Sequence, residues 1–233
     1  MYKRILLKLS GEALIDQDGN SIGINQLEHY CSEISDAYKS GVQIAIVIGG
    51  GNIFRGIQGA KRGFSRIQGD YMGMMATIIN SLALEEMLLE YNIPSTILGA
   101  IEIDNICKKF YFKKAIDLLE NNKVIILSGG TGNPLFTTDS AAALRAIEIN
   151  ADILLKGTKV DGVYTEDPFK NPNAQKYEYL SLDEAFEKKL KILDLTAYTL
   201  CMENNLPIIV YDATKKGNLK KILEGEKIGT LIK

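Results

Sequence analysis

Three turns of small residues punctuate the chain: Ser10-Gly11, Gly49-Gly50-Gly51 and Gly129-Gly130-Thr131-Gly132. Each follows a short apolar run, and glycine there lets backbone N–H groups approach an anion closely. One such turn needs glycine for geometry alone, but three on one sheet edge point to a phosphate-rich ligand. Cations stand close by. Lys8 interrupts an apolar strand just before Ser10-Gly11, so it either surfaces at the strand end or meets an anionic partner, and the pattern leaves both readings open. Arg55 follows the second glycine turn by four residues, within reach of a ligand there, although an exposed loop arginine has the same pattern. Asp139 falls just inside a helix that Thr137 or Thr138 can cap. It is either a helix-start carboxylate of dipole value only or the group that orients Lys8 or a magnesium-bound phosphate.

The common phosphate fingerprints are missing. No G-x-x-x-x-G-K-[ST] occurs, and G-x-G-x-x-G fails because Phe54 and Leu135 fill the last places. Phosphoryl transfer by another design remains attractive, since it needs mainly positioning and cationic stabilisation of the transferred charge. The composition agrees with an ordinary globular domain: 233 residues, 46% apolar, 24% charged. A formal charge of −2 argues against a broad nucleic-acid surface. His29 is the single histidine, and Cys31, Cys107 and Cys201 are scattered, which speaks against serine–histidine triads and histidine-clustered metal sites. An odd thiol count suits a reducing cytosol and buried packing. The uncharged stretches 40–54 and 124–138 fall short of the roughly 18 residues a spanning helix needs, so a soluble, cytoplasmic protein without a membrane partner is expected.

Positioning these groups falls to alternating apolar runs and amphipathic stretches, the pattern of βαβ units around a mostly parallel sheet. Strands are predicted at 5–9, 42–48, 96–101, 124–127, 152–156 and 207–211, with a last one near Thr230. Helices are predicted around 27–38, 71–90, 112–121, 138–150, 182–189 and 194–204. The Asp-, Pro- and Asn-rich loop 161–175 reads as a seam between two halves of a single α/β body, 1–150 and 151–233.

Five motifs carry a resemblance to a known family. Tyr2-Lys3-Arg4-Ile5-Leu6-Leu7-Lys8-Leu9-Ser10-Gly11-Glu12, Gly49-Gly50-Gly51-Asn52-Ile53-Phe54-Arg55-Gly56, Gly69-Asp70-Tyr71-Met72-Gly73-Met74, Gly130-Thr131-Gly132-Asn133-Pro134-Leu135-Phe136-Thr137-Thr138-Asp139 and Lys156-Gly157-Thr158-Lys159-Val160-Asp161-Gly162-Val163-Tyr164 stand in order along the chain. Together they resemble the bacterial uridylate (UMP) kinases of the amino acid kinase superfamily. The resemblance implies a three-layer α/β/α sandwich with a mostly parallel central sheet. It implies phosphate transfer from ATP to UMP with Mg²⁺, for pyrimidine (CTP) nucleotide synthesis. It also implies a homohexamer, assembled through the helix near 71–90, and feedback by UTP.

Carried over by position, Lys8, Leu9, Ser10 and Gly11 would cradle the ATP phosphates with Gly51 and Arg55, and Thr158, Tyr164 and Asp167 would line the adenosine side. Gly50 would touch the UMP phosphate and Asp70 the ribose hydroxyls. Thr131, Gly132, Asn133, Pro134, Leu135, Phe136, Thr137 and Thr138 would wrap UMP, Thr138 reading the uracil edge. Lys8 and Arg55 would neutralise the transferred charge with Mg²⁺, Asp139 would hold Lys8, and no side chain would ligate the metal directly. Relatives activated by GTP carry cations along and beyond the helix matching 71–90. Here no Lys or Arg occurs between Arg66 and Lys108, and Glu85, Leu89 and Thr96 occupy the expected places, which puts GTP activation in doubt. Asp212 and Lys216 replace the more usual Asn and Pro of a late loop. Two rivals share the fold: a nucleotide-binding protein without turnover, and a kinase of carboxylates or carbamate.

Overall fold

The computed structural model describes residues 2–55, 63–190 and 192–233. Its strands are β1 (Arg4–Leu9), β2 (Gln43–Ile48), β3 (Ser95–Gly99), β4 (Lys108–Lys109), β5 (Val124–Ser128), β6 (Ile153–Thr158), β7 (Val163–Tyr164), β8 (Lys176–Tyr177), β9 (Tyr179–Leu180), β10 (Ile208–Asp212) and β11 (Thr230–Ile232). Its helices are α1 (Ile24–Lys39), α2 (Arg66–Glu90), α3 (Phe112–Glu120), α4 (Thr138–Glu148), α5 (Leu182–Glu187), α6 (Leu195–Glu203) and α7 (Asn218–Leu223), and a 3₁₀ turn spans Gly11–Leu14. Nine strands form one sheet in the order β4-β3-β5-β2-β1-β6-β10-β11-β9, with only the β10–β11 pair antiparallel. The expected mostly parallel α/β sheet is therefore present.

Strand periodicity builds two cores. Ile5, Leu7 and Leu9 of β1, with Ile44, Ile46 and Ile48 of β2, face α1, α2 and α7. Leu6, Ala45 and Val47 face the opposite way, onto α3, α4, α5 and α6. The layer between helices and sheet is thin at α4, whose inner face is Ala142, Ala143 and Ala146. That helix is also held at both ends. Thr137 caps its first turn, accepting from the N–H groups of Asp139 and Ser140 at 3.0 and 3.3 Å. At its other end the buried Arg4 guanidinium donates to the Ile149 carbonyl at 2.5 Å, a cation where the helix dipole favours one.

Four helices stop in the same way. Asn92, Asn122, Asn150 and Asn205 take left-handed φ values between 50° and 56° just past α2, α3, α4 and α6. The next residue then donates back to Leu88, Leu118, Ala146 or Cys201, closing a Schellman turn that delivers the chain into β3, β5, β6 or β10. Asparagine tolerates this backbone because its polar side chain is short.

Differences from the expected elements are local. α2 begins at Arg66 rather than 71, because Ser65 caps it by accepting from Gln68 N–H at 3.2 Å. The strand expected at 96–101 ends at Gly99, where a Cβ would lie 2.4 Å from the Ile101 carbonyl oxygen. The loop 161–175 opens with β7, which pairs with β8 as a short hairpin. Although α2 is long and apolar enough to cross a membrane by length and composition, half of that stretch is buried in the fold. Cys31, Cys107 and Cys201 are free and buried, and burial pushes the Cys31 and Cys201 thiols up to about 12.

The second glycine turn lies directly on α2. A Cβ on Gly50 would stand 2.7 Å from the Gly73 carbonyl oxygen and 2.8 Å from Ala76 Cβ, whereas one on Gly73 would meet nothing within 4 Å. Gly50→Ala is therefore expected to cost about 1–3 kcal/mol in urea unfolding. Gly73→Ala, in a helix interior with room for a methyl, should gain up to about 1 kcal/mol. Equal effects of the two substitutions on the urea midpoint would contradict this packing.

Candidate active site

Even-numbered residues of β1 face α4, so the strand that buries Leu6 also aims Lys8 at the first turn of that helix. β6 does the same one strand away. Lys156 is the register partner of Lys8 and follows the inward Leu154 by two residues. Asp139 sits between the two ammonium groups. Lys8 Nζ lies 2.8 Å from Oδ1 as an ion pair, and Lys156 Nζ donates to Oδ2 at 2.6 Å. All three side chains are 12–16% exposed.

Burial alone would raise the Asp139 carboxyl, but the two lysines outweigh it and hold the group below the ordinary carboxylate range. Lys156 moves down from its ordinary value, chiefly by burial and further by repulsion from Lys8, against the opposing pull of Asp139. Asp194, the cap of α6, anchors the arrangement from outside. It accepts from Ser140 Oγ at 2.8 and 2.9 Å, from the Thr137 hydroxyl and from Ala197 N–H at 2.9 Å.

Lys8 and Thr137 open from this arrangement onto a cleft of about 570 Å³ at the carboxyl edge of the sheet. Lys8, Ser10, Gly11, Gly50, Gly51, Arg55, Asp70, Thr131, Phe136, Thr137 and Thr138 line it, so most of the expected site residues meet in one place. Leu9 is buried in the core beneath, leaving only its backbone near the turn. Gly132, Asn133, Pro134 and Leu135 continue the loop without lining the cleft. Leu135 takes a left-handed φ of 75°, and its N–H donates to Asp70 Oδ2 at 2.9 Å, tying this loop to α2. Asp70 also pairs with Arg66 one helical turn earlier, at 3.0 Å to each oxygen. Arg55 is paired with Glu12, itself a lining residue. Gly56, at the end of the second motif, lies outside the described residues.

Three expected residues stand apart from this cleft. Thr158 closes β6 with its hydroxyl 2.7 Å from the Val160 carbonyl, and Tyr164 in β7 donates to Asp161 at 2.7 Å. Asp167 accepts from Phe169 N–H at 3.0 Å in the following loop. Lys156, Arg66, Asp194 and Glu12 were given no role by the sequence reading. For Lys156 a signal existed, since it too is a lysine ending an apolar strand. The i,i+4 spacing of Arg66 and Asp70 was a second signal. Nothing in the sequence joins Asp194 to residues 137–140.

Backbone donors complete the chemistry. Among the described residues, the N–H groups of Gly50, Gly51, Gly130 and Thr131 have no backbone acceptor, so they are available to an anion. Also among the described residues, no group of three or more His, Cys, Asp or Glu side chains is placed to hold a metal ion. Asp139, the deep carboxylate, is already committed to two lysines.

The amino acid kinase family model matches residues 3–212. The uridylate kinase of Parabacteroides distasonis is 55% identical over 234 residues, covering 99% of this chain and 98% of that protein. That of Bacteroides thetaiotaomicron is 53% identical over 232 residues, with 99% and 98% covered. Among solved structures, the UMP kinase from Bacillus anthracis superposes with a TM-score of 0.96 at 39% identity, covering 99% of this chain and 96% of that one. With its parallel sheet, paired lysines and glycine turns, the chain belongs to the amino acid kinase family.

Proposed function

We propose that the protein transfers the γ-phosphoryl group of ATP to UMP, giving ADP and UDP, a step of pyrimidine (CTP) nucleotide synthesis. The observation that carries this reading is the full-length likeness to uridylate kinases, at 53% identity and above in the two relatives named. The cleft supports it independently. Two phosphate-bearing ligands need two sets of donors, and the glycine turns after the neighbouring strands β1, β2 and β5 supply them.

Lys8, Ser10, Gly11 and Gly51 cradle the ATP phosphates, with Arg55 released from Glu12 to join them. Gly50 meets the UMP phosphate, Asp70 the ribose, and the loop from Thr131 to Thr138 the uracil, with Thr138 reading its edge. Thr158, Tyr164 and Asp167 take the adenosine side, so residues 1–150 serve mainly UMP and 151–233 mainly ATP. Magnesium enters as part of the ATP substrate and neutralises phosphate charge. Lys8 and Lys156 together carry two positive charges against one on Asp139, leaving net positive charge where charge spreads over the transferred group. No general base is needed, because the attacking UMP phosphate oxygen is already ionised near neutral pH. The composition supports a cytoplasmic protein, and the family resemblance alone a homohexamer with UTP as feedback inhibitor. The outer face of α2, with Tyr71, Met72, Ile79, Leu82 and Leu89 exposed, supports the assembly.

Release of ADP is to be measured with UMP, CMP, dUMP, acetylglutamate, aspartate and carbamate in turn. UMP should be preferred by a wide margin; equal turnover of a carboxylate, or none with any acceptor, would refute the reading. Lys8→Ala is expected to lower kcat about a hundredfold or more while KM for UMP changes little. The opposite split would take Lys8 out of the transition state. Asp70→Asn should mainly raise KM for UMP, and an unaltered value would remove its ribose role.

Because Lys156 is shifted down, it loses its proton at lower pH than an ordinary lysine, and kcat should fall on the alkaline side below pH 10.5. Lys156→Arg keeps the charge throughout and should abolish that fall. An alkaline limb unchanged in the variant would mean that another group titrates.

A further inference from the structure

Asn80 lies in the middle of α2, fully buried, yet its amide is committed to the second glycine turn rather than to its own helix. Nδ2 donates to the Gly49 carbonyl at 2.7 Å and to Asn52 Oδ1 at 2.7 Å. Asn52 answers with Nδ2 donating to Asn80 Oδ1 at 2.9 Å and to the Ser21 carbonyl at 2.8 Å. The orientation of the Asn80 amide follows from chemistry: a carbonyl oxygen only accepts, so the atom facing Gly49 must be the NH₂ group. The first turn rests on the same atoms, since a Cβ on Gly11 would lie 2.3 Å from Gly49 O and 2.5 Å from Asn52 Oδ1.

The consequence runs through one peptide plane. The described chain has no cis peptide, so the C=O of Gly49 and the N–H of Gly50 point in opposite directions. Fixing the carbonyl toward Asn80 therefore fixes the Gly50 N–H away from it. The Gly50 backbone also packs closely on α2, next to the Gly73 carbonyl. That N–H has no backbone acceptor among the described residues and borders the cleft.

We propose that Asn80 is a positioning residue, which aims the Gly50 N–H at the phosphate of the acceptor nucleotide. Asn80 touches neither substrate; it acts through the Gly49–Gly50 peptide. The proposal rests on the UMP kinase reading for the identity of that phosphate. It explains why an amide, costly to desolvate, occupies the centre of the buried face of α2. A hydrocarbon there would leave the Gly49 carbonyl unsatisfied and its peptide free to turn.

Asn80→Asp retains shape and an acceptor for Asn52 but removes the donor to Gly49. Binding of UMP and of uridine to the full-length protein is to be measured by calorimetry, together with KM for each substrate. The expected result is UMP affinity lowered about tenfold, with uridine affinity and KM for ATP both within about twofold of the parent. Loss shared by uridine or ATP, or no loss, overturns the proposal, because a merely structural role would not single out the phosphate. Should this variant fail to fold by thermal melting, Asn80→Ser is read by the same comparison. Failure of the parent protein to bind UMP at all would instead strike the functional reading, so the two outcomes are separate.

Discussion

Two ammonium groups on neighbouring strands, in register and turned to the same buried face, repel one another unless a carboxylate stands between them. That constraint organises the cleft. Lys8 and Lys156 occupy equivalent positions on β1 and β6, and strands in a sheet run about 4.8 Å apart. Asp139 meets both, and its depressed pKa keeps it charged through the neutral range. The arrangement retains one net positive charge, at the N-terminus of α4, whose dipole has the same sign. The field there is preorganised, since both ammonium groups are held by the same carboxylate. Positioning Asp139 well enough to do this needs α4 held firmly, which Thr137, Asp194 and Arg4 do from its two ends.

α2 is the second organising element, because its buried polar residues reach both remaining glycine turns. Asn80 holds the Gly49 carbonyl, and one turn earlier Thr77 Oγ1 accepts from Gly129 N–H at 2.8 Å. Thr77 also donates to the Met74 carbonyl at 2.7 Å, so its hydroxyl is satisfied in both roles. The helix therefore sets the separation of the second and third glycine turns. At its start, Asp70 reaches across to Leu135 and adds the third tie.

The legible part of the site was the part whose signal is local. A lysine breaking an apolar strand, and glycines immediately after strands, mark themselves without any knowledge of tertiary structure. Asp139 was visible as a helix-start acid, but its two readings could be separated only once Lys8 was seen beside it. Lys156 carries the same local mark as Lys8, but strand register, which makes the two lysines neighbours, is not written in either segment. Asp194 lies 54 residues from Ser140, and Asn80 lies 31 from Gly49; no periodicity encodes such contacts. The helix ends at Asn92, Asn122, Asn150 and Asn205 were legible in principle but less obvious than glycine. α7 and the two-residue strands β4, β7, β8 and β9 are too short for a hydrophobic period to register.

The outer side of α2 bears on what can regulate such a molecule. A triphosphate effector needs clustered cations, and the sequence between Arg66 and Lys108 has none. What that face presents instead is Ile79, Leu82 and Leu89, each 39–54% exposed. Glu85 lies on the same helix, its carboxyl raised chiefly by burial. Repulsion from Glu86 adds to the rise. A surface of that composition is suited to another apolar surface and hostile to a polyanion. The opposite side of the same helix holds the Gly49 and Gly129 turns through Asn80 and Thr77, so one element carries both the exposed apolar face and the ties to the cleft.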